Sequence, residues 1–116
     1  MPDIIKMKTG KRMSAISICN GIVYLAGQTA DDKSSFSDQA EAMLSKVDAL
    51  LFEAGSSREC ILSATVYLKD MSYFSEFNEI WEEWMPEGKA PSRACVQAQM
   101  ARESILCEIS IIAAQK

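Results

Sequence analysis

The chain contains no histidine. That absence removes the commonest general base, the usual serine-histidine-aspartate triad and the commonest metal ligand. Chemistry here must run on carboxylates, arginine, cysteine, hydroxyls, backbone groups and water. Proline and glycine are scarce, at three and five of 116 residues, and no linker, repeat or low-complexity segment divides the sequence. No apolar run approaches the length of a membrane span, and the N-terminus lacks the continuous apolar core of a signal peptide. The four cysteines, Cys19, Cys60, Cys95 and Cys107, lie far apart with no Cys-x-x-Cys pair. Zinc is disfavoured by that spacing, no metal site is expected, and buried free thiols are the default reading. With nothing pointing to secretion, the reducing cytoplasm is the expected compartment and no membrane partner is expected.

What is present is ordinary in bulk. The length suits one compact domain spanning residues 1–116. Hydrophobic residues make up 48% and charged residues 24%, as in a globular protein. A net charge of −4 argues against nucleic acid as a partner bound through a general basic surface. Lys6, Lys8, Lys11 and Arg12 form the only dense basic cluster, which reads as a solvated edge.

The local patterns are clearer. An edge strand is expected from about Ile4 to Lys8, and two β-branched runs, 15–19 and 22–26, flank Asn20-Gly21. That dipeptide is the strongest short-range hairpin signal, because both central turn positions need positive φ. From Ser37 to Ala54, Ala40, Met43, Leu44, Val47, Leu50 and Leu51 recur at helical spacing, with Gly55 as the stop. Residues 61–68 alternate as a strand. A second helix is expected from Ser72 to Met85, with Phe74, Phe77, Ile80, Trp81 and Trp84 as its apolar stripe. Pro86-Glu87-Gly88 ends it, and Pro91 forces extended chain before two last strands, about 93–100 and 105–114. The order β-β-β-α-β-α-β-β predicts an α+β fold with two helices on one face of the sheet. Ile16, Ile18, Tyr24, Val66, Val96, Ile109 and Ile111 exceed what two helices are expected to cover, so the sheet should meet a second copy of the chain.

Two charges stand out inside the apolar strands: Arg93, in Pro91-Ser92-Arg93-Ala94-Cys95-Val96, and Glu108, between Cys107 and Ile109. A charge removed from water needs a partner or hydrogen bonds. The last two strands are expected to pair as a hairpin holding both residues. A structural ion pair, or an arginine reaching solvent, accounts for these positions as readily as a site does. As a site, Arg93 suits a bidentate clasp on a planar carboxylate, and Glu108 can orient or deprotonate a water. Together they point to hydrolysis of a small carboxylate-bearing molecule.

These segments resemble the RidA (YjgF-type) family of enamine and imine deaminases, and a shorter YoaB-like branch of it. The resemblance is carried by Tyr24-Leu25-Ala26-Gly27-Gln28, Ala54-Gly55-Ser56, the run 61–70, Phe74 with Phe77-Asn78, Pro91-Ser92-Arg93-Ala94-Cys95-Val96, and Glu108-Ile109. It implies a chorismate-mutase-like fold and a homotrimer with clefts between subunits. It also implies cofactor-free hydrolysis of 2-aminoacrylate-type enamines and imines to 2-keto acids and ammonia. Arg93 matches the arginine that holds the substrate carboxylate, and Glu108 the acid that positions water. Cys95 matches a cleft-lining cysteine; Asn78, Gly27 and Gln28 match positions near the cleft or its supporting turn. A family Gly-Pro-Tyr stretch is replaced by Lys11-Arg12-Met13-Ser14, and a hydroxyl residue before the Gly-Gln pair by Ala26. These departures imply a reshaped pocket, with Arg12 or Ser14 as a substitute polar wall. A non-catalytic binding module for keto-acid or amino-acid metabolites is the alternative.

Overall fold

The computed structural model describes residues 2–116. Its strands are β1 (Ile4–Thr9), β2 (Ser14–Cys19), β3 (Ile22–Leu25), β4 (Ile61–Leu68), β5 (Ser92–Gln97) and β6 (Cys107–Ala114). Two helices, α1 (Phe36–Glu53) and α2 (Phe74–Trp84), pack on one face of the sheet. The element order and the α+β, chorismate-mutase-like class are those expected. None of the helices is long and apolar enough to cross a membrane, among the described residues.

Local chemistry explains the boundaries. Asn20 and Gly21 both take positive φ, 52° and 77°, which closes the β2–β3 hairpin as a two-residue turn. Ser35 caps α1, its hydroxyl accepting from the Asp38 N–H at 3.2 Å, slightly earlier than the sequence suggested. Gly55, at φ 78°, turns the chain out of that helix. A 3-10 turn at Met71–Tyr73, capped by Asp70, takes the residues expected to begin α2.

The strand order corrects one expectation. Across the sheet it is β1-β2-β3-β6-β4-β5, so β5 and β6 do not form a hairpin; β4 lies between them. β5 runs parallel to β4, and β6 runs antiparallel to both β4 and β3. The reason is topological. A strand that follows a helix returning from its predecessor pairs parallel to that predecessor, and β4–α2–β5 is such a unit. β6 then takes the central slot, which its alternation fits: Cys107, Ile109, Ile111 and Ala113 are all buried. β5 is one of the two edge strands, with β1 the other, and ends at Gln97, short of the expected Met100.

Burial shows how far the two helices cover the seven apolar strand residues. Of the seven residues thought too many for two helices, Ile16, Ile18, Val66, Ile109 and Ile111 are buried in the helix-covered core. Only Tyr24 and Val96 face the open side, 47% and 44% exposed. α1 is long enough, and the strands short enough, for one helical layer to cover the inner face. The apolar surface of the open side is therefore smaller than the sequence implied.

Candidate active site

Register decides where each candidate side chain points. Arg93 lies opposite Ala64, Cys95 opposite Val66 and Gln97 opposite Leu68, so these three share the helix-covered face. Glu108 lies opposite Tyr67, which in turn pairs with Val96, on the open face. Within one chain the sheet itself therefore separates the two charges. The candidates fall into two clusters.

The first cluster surrounds Arg93. Nη2 donates to Asn78 Oδ1 at 2.7 Å, and the guanidinium carbon sits 5.7 Å from the Phe77 ring centre and 5.4 Å from that of Trp81. Those three residues come from one turn of α2, where i and i+4 positions share a face. Aromatic faces attract the cation and also strip it of water. A second nitrogen, Nη1, is buried with no hydrogen-bond partner among the described residues. Among the described residues no carboxylate pairs with Arg93 either, so Glu108 is not its counter-ion within one chain.

Arg58 shows the contrast. Its Nε and Nη2 bind both oxygens of Asp48 at 2.7 and 2.8 Å, and Nη1 donates to the Trp84 carbonyl at 2.9 Å. Every polar edge of Arg58 is used to tie α1 to α2. Arg93 keeps one edge unspent, and leaving a charged donor buried and unpaired costs about 1–3 kcal/mol or more. A planar anion is the partner such an edge fits.

Cys95 lies one row along from Arg93 on the same face. Burial pushes its thiol up, against the opposing pull of the Arg93 charge. It therefore stays protonated near neutral pH and is poorly suited to act as a nucleophile. Cys107, in the core, is pushed up to about 12 by burial. All four cysteines are free thiols.

The second cluster surrounds Glu108. Gly27 lies directly against it: a Cβ built there would overlap Glu108 Oε2 and come within 3.2 Å of Cδ. Glycine is required at this position by close approach rather than by its φ. Gln28 supports the arrangement from behind. Its backbone exchanges two hydrogen bonds with Ile109, at 2.9 and 3.1 Å, and its side chain folds back to the Ala26 carbonyl at 2.9 Å. Gln28 thus fixes the backbone that carries Gly27. A depression of about 310 Å³ opens here, bordered by Tyr67, Gln99, Met100 and Ser110 as well as Gly27 and Glu108.

Sequence reasoning treated Phe77 and Trp81 only as core; they are also the platform under the guanidinium. Their spacing around Asn78 was the available signal. It also assigned 98–100 to the strand of Arg93, whereas that strand ends at Gln97 and residues 98–101 border the Glu108 depression.

The site geometry can be set beside known proteins. The family model described as Endoribonuclease L-PSP matches residues 6–115. The chain belongs to this family, also called YjgF or RidA. A RutC family protein of Haemophilus ducreyi is 38% identical over 112 residues, covering 96% of each chain. The RutC family protein YoaB of Escherichia coli is 32% identical over 111 residues, 96% of this chain and 97% of the relative. Among solved structures, NMB1025 of Neisseria meningitidis, a YjgF family member, superposes with a TM-score of 0.96. It shares 34% identity and covers 98% of this chain and 96% of its own. In this YjgF-family chain, then, the two clusters are mounted on a backbone common to the family.

One ion pair near the site sets a pH dependence. Asp31 accepts from Arg102 Nε and Nη2 at 3.0 and 3.2 Å and from the Ser104 hydroxyl at 2.7 Å. The Arg102 hydrogen bonds, followed by that of Ser104, lower its pKa from 3.8 to about 2. A carboxylate depressed on folding stabilises the folded state above its unfolded pKa, and that contribution is lost as pH falls through the folded value. The difference in denaturation midpoint between wild type and Asp31→Asn is therefore expected to be full above pH 3.8 and to close towards pH 2. Urea melts across that range check it; a gap that stays constant contradicts the assignment. Because the pair is exposed, added salt should also shrink the gap.

Proposed function

We propose that this protein hydrolyses small 2-imino acids and their enamine tautomers to 2-keto acids and ammonia, without a cofactor, in clefts between neighbouring subunits of a homotrimer. The observation that carries this reading is the buried, unpartnered Nη1 edge of Arg93. A substrate carboxylate is the ligand that fits it, with Asn78 steadying the other nitrogen and the aromatic pair excluding water. An iminium carbon is already electrophilic, so the reaction asks only for anchoring and a directed water. Glu108, held against Gly27, supplies the direction: it accepts a proton as water adds to the C=N carbon and returns it to the carbinolamine nitrogen, and ammonia leaves as the hydroxyl gives its own proton back to Glu108 and becomes the keto C=O. Four free thiols suit a reducing cytoplasm.

The assembly argument is geometric. Arg93 and Glu108 sit on opposite faces of one sheet, so a single copy does not bring them to one substrate. Pairing two open faces about a two-fold axis would bury Glu108 against a face that does not carry Arg93. Bringing the Arg93 edge of one copy to the open face of the next is a head-to-tail contact, the kind that builds a ring where the rotation between copies closes. Exposed Tyr24 and Val96 supply apolar surface for that seam.

A mixing experiment tests the reaction and the shared site together. Arg93→Ala and Glu108→Gln proteins, each nearly inactive on freshly generated 2-iminopropionate, are unfolded together and refolded. Random rings place an intact Arg93 against an intact Glu108 in about a quarter of seams, so about a quarter of wild-type ammonia release should return. No recovery would place both groups within one chain, contrary to this reading. Ligand capture without turnover is the second reading, favoured by the same unpaired guanidinium edge; it gives 2-oxo-acid binding with no ammonia released by wild type.

A further inference from the structure

The depression beside Glu108 has two irregular walls. One is the segment carrying Gly27; the other is residues 98–101, the first part of the connection from β5 to β6. Chain outside regular ladders keeps its position only through side-chain and turn contacts. Here those contacts are concentrated and directed. Gln39, on α1, is only 1% exposed, yet its amide is spent on bridging. Nε2 donates to the Lys33 and Ser104 carbonyls, both at 2.9 Å, and Oε1 accepts from the Leu106 N–H at 3.0 Å. The first partner belongs to the Gly27 segment and the other two to the 98–106 connection. Asp31 makes the same link outside, through Arg102 and Ser104. Lys69, at the end of β4, adds a third tie to the Glu103 carbonyl at 2.7 Å. A buried glutamine serving only the core would have no need to join two loops, and an exposed bidentate pair contributes little stability alone. Both have their polar groups aimed across the same gap.

We infer that Gln39 and the Asp31–Arg102–Ser104 clasp are positioning residues that hold the 98–101 wall at a set distance from Gly27, and so determine which substrate side chains fit beside Glu108. The inference rests on the reading that this depression receives a 2-imino or 2-oxo acid. None of these residues touches the reacting atoms. With the wall fixed, short aliphatic side chains are accommodated and branched ones meet Gln99 and Met100. With the clasp loosened, the wall yields and the preference for small substrates relaxes. A pocket that discriminates by one or two methylene groups commands a ratio of about 10–200-fold, so the change is measurable.

The test uses the full protein and two 2-oxo acids, pyruvate and 4-methyl-2-oxopentanoate, with calorimetric binding as the first readout and hydrolysis of the matching imines as the second. Wild type is expected to favour the smaller acid. Asp31→Asn and Arg102→Ala should reduce that preference by about tenfold while Arg93-dependent binding of pyruvate persists. The exchanged pair Asp31→Arg with Arg102→Asp should restore it, which a mere loss of stability would not do. Because Arg102 is exposed and Asp31 lies half-buried at the surface, the variants are expected to fold; Arg102→Lys, which keeps the charge and loses the fork, serves if Arg102→Ala does not. An unchanged ratio in folded variants overturns the inference. Binding without ammonia release overturns the hydrolase reading alone and leaves the clasp standing. Failure of wild type to bind either acid overturns both.

Discussion

Arg93→Met is expected to abolish turnover of 2-iminopropionate while leaving the fold as stable as before, or more so. The two effects have one origin. In the free protein the guanidinium is held by a single hydrogen bond to Asn78 and two aromatic contacts, with Nη1 buried and unsatisfied. Methionine keeps the apolar stem against Phe77 and Trp81 and removes the unpaired charge. Relief of about 1–3 kcal/mol for the orphaned donor offsets the hydrogen bond and cation–π contacts that are lost. For the ligand the balance runs the other way. Removing one partner of a desolvated, hydrogen-bonded charge pair costs about 2–5 kcal/mol. That is roughly 30- to 4,000-fold in affinity for a carboxylate, before any loss of orientation. Thermal melts and ammonia release on the same preparation separate the two. Retained activity would reject the carboxylate-holding role; a large drop in stability would make Arg93 a structural residue like Arg58.

Gly27→Ala is expected to be the second most damaging change, and again for catalysis more than for stability. The new methyl group would overlap the Glu108 carboxylate, which must rotate away. Because the group that gives way is the mobile end of a side chain facing the open side of the sheet, the fold should adjust at small cost. The backbone at Gly27 does not require positive φ, so alanine brings no conformational penalty there. Water held by Glu108 would shift by about an ångström or more, and misplacement on that scale costs on the order of 100-fold in rate. A kcat loss of that order with near-unchanged binding of a 2-oxo acid is the expected signature. If kcat survives, Glu108 is not directing water from its present position. If binding fails as well, Gly27 faces the ligand directly.

The sequence carried the elements better than their arrangement. Asn20-Gly21 needs no tertiary context, because positive φ at two successive positions admits few residues, and the hairpin is where it was expected. The α1 stripe from Ala40 to Leu51 likewise faces the core as its spacing implied. Strand order was less legible. Alternation in 93–97 and 107–114 states that neighbouring residues point to opposite sides; it does not state which side is covered by helices. The hairpin expectation took adjacency in sequence for adjacency in the sheet, and overlooked that β4, α2 and β5 form a parallel crossover.

The same limit applied to the site. That Arg93 and Glu108 were anomalous charges could be read from their apolar neighbours, since desolvation is a local property. That the sheet stands between them could not, because facing depends on register with β4. Asn78 was placed by resemblance, and its hydrogen bond to Arg93 gives it a physical role. Gln28 was likewise placed by resemblance, and its hydrogen bonds to Ala26 and Ile109 give it a part in fixing the segment that carries Gly27. Gln39 left no trace in the periodicity, since a polar residue within an α1 stripe reads as a surface position until its three partners are known.

A wall of backbone between guanidinium and carboxylate has a consequence for mixed assemblies. Under the proposed ring, each copy lends one half of a site to the neighbour on its left and the other half to the neighbour on its right. A copy damaged at both residues would therefore spoil the seams on both its sides, and when equal numbers of damaged and intact copies assemble at random about a quarter of the seams stay whole, half of what simple dilution would leave.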